Sequence, residues 1–127
     1  MTTSFLAIST IFFFSATQAM SFSEAVQKLQ VLELAKHSSA YCEGQGIPTN
    51  QSYDNWLNKS GVLFSAALVA IEKQVSKQGV SKDDQTAARA IIVNDISKGA
   101  QEYLSTKVID CSRFDSILLT YSRQLKR

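Results

Sequence analysis

Through residues 21–127, apolar side chains recur at three- and four-residue intervals rather than in alternation, and that spacing predicts helices. The first helix opens at Ser21-Phe22-Ser23-Glu24, which reads as a capping box: Ser21 accepts from the backbone three residues on, and Glu24 reaches back. Val26, Leu29, Val31 or Leu32, and Ala35 or Lys36 carry one partly regular stripe to about Tyr41. After Cys42 the pattern stops. The stretch Glu43-Gly44-Gln45-Gly46-Ile47-Pro48-Thr49-Asn50-Gln51-Ser52 holds two of the five glycines and the only proline, so an irregular surface loop is expected. A second helix is expected from Ser52 or Asp54 to about Lys77, on Trp56, Leu57, Leu63, Phe64, Ala67, Leu68, Ile71 and Val75. Gly79 is its stop, since glycine enters the left-handed cap without penalty. Ser81 with Asp84 opens a third helix, whose buried face is expected on Ala88, Ile91, Ile92, Ile96 and Tyr103, with Gly99 as an end or a kink. Ser112 with Asp115 repeats the start signal for a last helix on Phe114, Ile117, Leu118, Tyr121 and Leu125. The expected fold class is therefore all-α, a small bundle of four to five helices with antiparallel neighbours.

The opening segment does not belong to that bundle. Residues 5–14, FLAISTIFFF, are apolar or weakly polar, too short to cross a bilayer and the right length for the core of a secretory signal. Ser15-Ala16-Thr17-Gln18-Ala19 places small residues where a signal peptidase reads, so cleavage is expected after Ala19. The departure from the usual pattern is that Met1-Thr2-Thr3-Ser4 carries no Lys or Arg. The division that follows is a cleaved signal peptide, residues 1–19, and one helical domain, residues 20–127. The residue directly after the cleavage site is Met20 and not a cysteine that could carry a lipid, and no later run is long enough for a span, so no stable membrane anchor is expected.

With 127 residues there is room for one core, and 45% hydrophobic against 19% charged residues suits a folded globule. The formal charge of +2 is spread along the chain, which lacks the basic stripe that a phosphate backbone requires; nucleic acid is excluded as the expected partner. Only Cys42 and Cys111 are present, and in an exported domain two cysteines are expected to form a structural bridge. Closing a loop of that size stabilises by about 4 kcal/mol in the chain-entropy model. The bridge would tie the end of the first helix to the start of the last.

Candidate chemistry is sparse. His37 is the only histidine, and neither a Ser-His-Asp set nor a Cys-His nucleophile can be assembled around it, since Cys42 is expected to be oxidised. It reads as a surface histidine in the last turn of the first helix. Zinc would need a ligand spacing that His37, Cys42 and Glu43 do not offer, so no metal and no cofactor are expected, and the chain is not expected to be an enzyme. Asp83-Asp84 read as caps rather than a catalytic carboxylate pair. Trp56 beside Leu57 reads as a core anchor in preference to a stacking platform. Asn50-Gln51-Ser52 and Asn58-Lys59-Ser60 match glycosylation acceptors, which matter only in a eukaryotic source.

The strongest functional candidate is the loop from Glu43 to Tyr53, with Gly44, Gln45, Gly46, Ile47 and Pro48 inside it and Tyr41 and Tyr53 flanking it. Its polarity also fits plain solvent exposure. A bridge at its root would hold it rigid, and tyrosine is enriched at binding hot spots.

An export signal, an all-helical domain, Asp110-Cys111 set against Tyr41-Cys42, and no catalytic set together resemble the periplasmic immunity proteins of type VI secretion systems. The likeness spans Ser21 to Arg127 as an architecture, without a diagnostic motif. It implies a periplasmic protein that binds and inhibits a peptidoglycan hydrolase effector, a muramidase or an amidase, with the 43–53 loop as the plug in its cleft. Such families commonly act as dimers, so the resemblance extends to a homodimer. The rivals are a small periplasmic chaperone of the acid-stress kind and an accessory subunit of an envelope complex. The chaperone class needs acid-titrating carboxylates, and this chain is mildly basic with widely spaced cysteines.

Overall fold

The computed structural model describes residues 19–127; the expected signal peptide lies outside the described residues, except for Ala19. Five helices follow in order: α1 (Phe22–Gly44), α2 (Asn50–Lys59), α3 (Gly61–Lys77), α4 (Gln85–Ser105) and α5 (Phe114–Leu125), the last preceded by a single 3₁₀ turn, Cys111–Arg113. No strand occurs among the described residues, so the all-α expectation holds.

α1 is the central helix and touches each of the other four. Its alanines Ala25 and Ala35, with Ala67 of α3, are fully buried and let backbones approach, while Leu29, Ile71 and Val75 fill the core between them. Burying each of those three larger side chains stabilises the fold by roughly 1.5–3 kcal/mol. Trp56 is 8% exposed and packs in the same core as Leu118 and Phe114. Its indole Nε1 donates to Ser122 Oγ of α5 at 2.8 Å, which satisfies the one polar group that such an anchor brings inside.

The Ser21 half of the capping box is present: Glu24 N donates to Ser21 Oγ at 3.1 Å. Gly79, at φ 80°, ends the α3 turn as expected. Three expectations need correction. The apolar period from Trp56 to Val75 is not one helix, because the run breaks at Ser60. There the backbone N–H is shared between the Trp56 and Leu57 carbonyls, and Ser60 Oγ also donates to Trp56 O, the local competition that weakens helices at serine. Gly99 does not end α4, which runs on to Ser105. And α1 continues past Tyr41 to Gly44, so the long loop shrinks to the five residues 45–49.

Consecutive long helices are antiparallel, but α1 and α4 run side by side in the same direction. Ser97 lies level with Glu33, and Ser105 lines the same groove as Tyr41. α5 returns along α1, and at its far end the buried Lys28 ammonium donates to the carbonyls of Leu125 and, at 2.8 Å, Arg127.

Candidate functional site

At one end of the bundle the Cys42–Cys111 bridge joins α1 to the turn before α5, with Cα atoms 5.5 Å apart across 69 residues of sequence. That single bond draws two connections together: residues 45–49 between α1 and α2, and residues 106–110 between α4 and the 3₁₀ turn. The first is folded down tightly. Gly46 N donates to Glu43 O and Ile47 N to Cys42 O, with Gly46 at φ 80°, a conformation open to glycine at little cost. Glu43 Oε1 then accepts from Thr49 N at 2.7 Å and Asn50 N at 2.8 Å, which caps α2. Those two backbone donors, Asn50 first, hold the Glu43 carboxyl below its ordinary range. Thr49 is buried, its hydroxyl 2.8 Å from Ser39 Oγ, and it donates to Ser39 O.

The residues expected to form the contact surface therefore divide. Tyr41, at 49% exposure, and Ile47, at 37%, face outward, and Gly44, Gln45, Gly46 and Pro48 are exposed. Glu43 is occupied as a cap. Tyr53 lies within α2, half-buried beside Trp56 with ring centroids 6.4 Å apart. Burial first, then the charges of Glu33 and Asp54, push its phenol up to about 12. Tyr53 is part of the packing rather than of a loop tip.

What the sequence pattern did not reveal is the second connection. Val108 is fully exposed at 101%, and Tyr103, which like Ile91 was expected on the buried face of its helix, is 54% exposed in the last turns of α4 and carries the Lys107 ammonium 5.0 Å from its ring centroid. Tyr41, Ile47, Tyr103 and Val108 are half of the large hydrophobic side chains exposed among the described residues, and all four lie at or near the bridged end. The others are scattered over α3, α4 and α5. The signal was in Cys111 itself: a bonded cysteine places the residues before it beside those after its partner.

His37 is also corrected. Because α1 extends to Gly44, His37 sits two turns inside it and is partly buried against α4. Its Nε2 is 2.9 Å from Ser97 Oγ, and Ser97 Oγ donates to Glu33 Oε2 at 2.9 Å, with Glu33 Oε2 also 3.5 Å from Nε2. Serine and acid thus crowd the same ring nitrogen. In a catalytic triad they occupy opposite nitrogens, so the serine proton can pass to the imidazole. Here it is directed at Glu33, and the trio fastens α1 to α4.

Among the described residues no group of three His, Cys, Asp or Glu side chains is placed to hold a metal ion, and no helix is long and apolar enough to cross a membrane. The two glycosylation-type asparagines, Asn50 and Asn58, are exposed on α2. The chain matches no protein-family profile, no curated protein and no solved structure.

Proposed function

We propose that this chain is an exported protein-binding module, not an enzyme, that acts in the periplasm as an immunity-type inhibitor: it covers the cleft of a peptidoglycan-degrading effector, a muramidase or an amidase. The observation that carries this reading is the bridged end of the bundle, where exposed Ile47 and Val108 on two connections, and exposed Tyr41 and Tyr103 on the helices beside them, gather around one covalent bond. Such a surface is ordered before binding, so little conformational entropy is lost when a partner arrives. The folded-down 45–49 turn is blunt, and the contact is therefore a cap laid over the cleft rather than a plug driven into it.

Calorimetry of the disulfide-bonded protein against the hydrolase encoded beside its gene tests the reading. Tyr41→Ala and Ile47→Ala are each expected to weaken binding by about 1–3 kcal/mol, with Lys77→Ala as a neutral control. Absence of binding to the hydrolase, or lysis of cell walls by the protein alone, would sink it.

A further inference from the structure

The junction of α2 and α3 and the facing side of α1 enclose a single hollow of about 450 Å³. That size falls within the range of small-molecule sites. Its walls are mostly apolar: Leu32 of α1, Leu57 of α2, Phe64 of α3 and the ring of Tyr53. Two side chains of opposite charge, Glu33 and Lys36 of α1, line it as well.

Glu33 is the group that asks for a ligand. It is 8% exposed, and a carboxylate so far out of water is costly unless its oxygens are hydrogen-bonded. Oε2 accepts from the Ser97 hydroxyl and lies 3.5 Å from His37 Nε2, whereas Oε1 has no hydrogen-bond partner among the described residues. No fully buried side-chain oxygen or nitrogen among those residues lacks a partner, so Oε1 keeps an open side. Tyr53, on the same hollow, feels the Glu33 charge: burial first, and that charge next, keep its phenol protonated and uncharged. Lys36 is exposed and stands three residues from Glu33 on one helix, yet the two form no ion pair with each other. An acid and a base that share an apolar hollow without meeting complement a small molecule that carries both charges itself.

We infer that this hollow binds an apolar α-amino acid as its zwitterion: the ammonium donates to Glu33 Oε1, the carboxylate accepts from the Lys36 ammonium, and the side chain lies against Leu57, Phe64 and the Tyr53 ring. None of Tyr41, Ile47, Tyr103 and Val108 lines the hollow, so this site and the proposed function stand or fall separately.

The test is an NMR titration of the disulfide-bonded protein with L-phenylalanine, set beside three relatives that each lack one feature. 3-Phenylpropanoate has no amine, phenethylamine no carboxylate and glycine no apolar side chain. L-Phenylalanine is expected to shift the amides of Glu33, Lys36, Leu57 and Phe64, and each relative is expected to bind at least tenfold more weakly. Lys36→Gln, a change at an exposed side chain, is expected to weaken phenylalanine about tenfold and to leave phenethylamine unchanged. Glu33→Gln keeps an acceptor for Ser97 and is expected to weaken phenylalanine tenfold or more while 3-phenylpropanoate is unchanged. Equal binding of phenylalanine and 3-phenylpropanoate would mean an apolar hollow indifferent to the acid, and would overturn the inference. Equal binding of phenylalanine and phenethylamine would overturn it in favour of a simple amine. Phenylalanine at millimolar concentration that shifts none of the four amides would remove the site altogether.

Discussion

The bundle has two ends, and they are closed by different means. At one, a covalent bond between Cys42 and Cys111 holds the connections, and the side chains around it are free to point outward: Tyr41, Ile47, Tyr103 and Val108. At the other, where α1 begins and α5 finishes, closure falls to a side chain, the buried Lys28 ammonium on the carbonyls of Leu125 and Arg127. A cation at a helix C-terminus meets both the unpaired carbonyls and the negative end of the dipole, so Lys28 is fully committed. Nearby, the turn from α3 to α4 is polar, with Ser81 donating to Asp84. Where a covalent bond supplies stability, an end of a small helical protein can present apolar groups to a partner. Where noncovalent contacts must do the closing, little is left to present.

Removing the bridge should produce the largest effect. Replacing both cysteines by serine is expected to cost about 4 kcal/mol by loop-closure entropy, read from urea unfolding. Hydrogen exchange should show the loss of protection beginning at residues 45–49 and 106–113. A loss spread evenly over both ends would break the contrast. Lys28→Met comes next, because it leaves the Leu125 and Arg127 carbonyls without their donor; roughly 1–3 kcal/mol is expected, with protection lost first at the end of α5. If loop protection at the bridged end fell instead, the two closures would not be independent. The smallest effect is Glu43→Gln. The carboxyl pKa is lowered by folding, so its stabilisation is present above the ordinary value of 4.5 and lost as pH falls through the lower folded value. The gap between the unaltered protein and Glu43→Gln in thermal midpoint should be constant above about pH 5 and close on acidification. A gap that persisted in acid would mean that the cap does not depend on charge.

The helices and the bridge were legible because they depend on local or countable features. The apolar period, the Ser21 cap and Gly79 each act within a few residues, and two cysteines in a domain of this size leave one pairing. The errors arose where distant groups decide. The loop looked long because Glu43 reaches forward to cap α2, a bond that no local propensity announces. His37 looked superficial because its partner Ser97 is sixty residues away on a helix whose parallel placement the period does not specify. The α2–α3 break was hidden because the apolar stripe continues through Ser60 while the backbone turns. Tyr53 looked like a loop anchor for the same reason that the loop looked long. The proposed contact surface was thus partly visible, in Tyr41 and Ile47, and partly unseen, in Tyr103, Lys107 and Val108.

The position of the bridge has a further consequence for survival among proteases. Cys42 and Cys111 enclose α2, α3 and α4 in a covalent ring, from which α1 and α5 extend as two arms lying against each other. One accessible stretch of that ring is the turn at Gly79–Asp84, whose residues are exposed except for Val80. A nick there severs the chain without releasing either fragment, since both remain attached through the sulfurs. The bridged end, with its paired connections, would keep its shape after such a cut, and so would the surface that it carries.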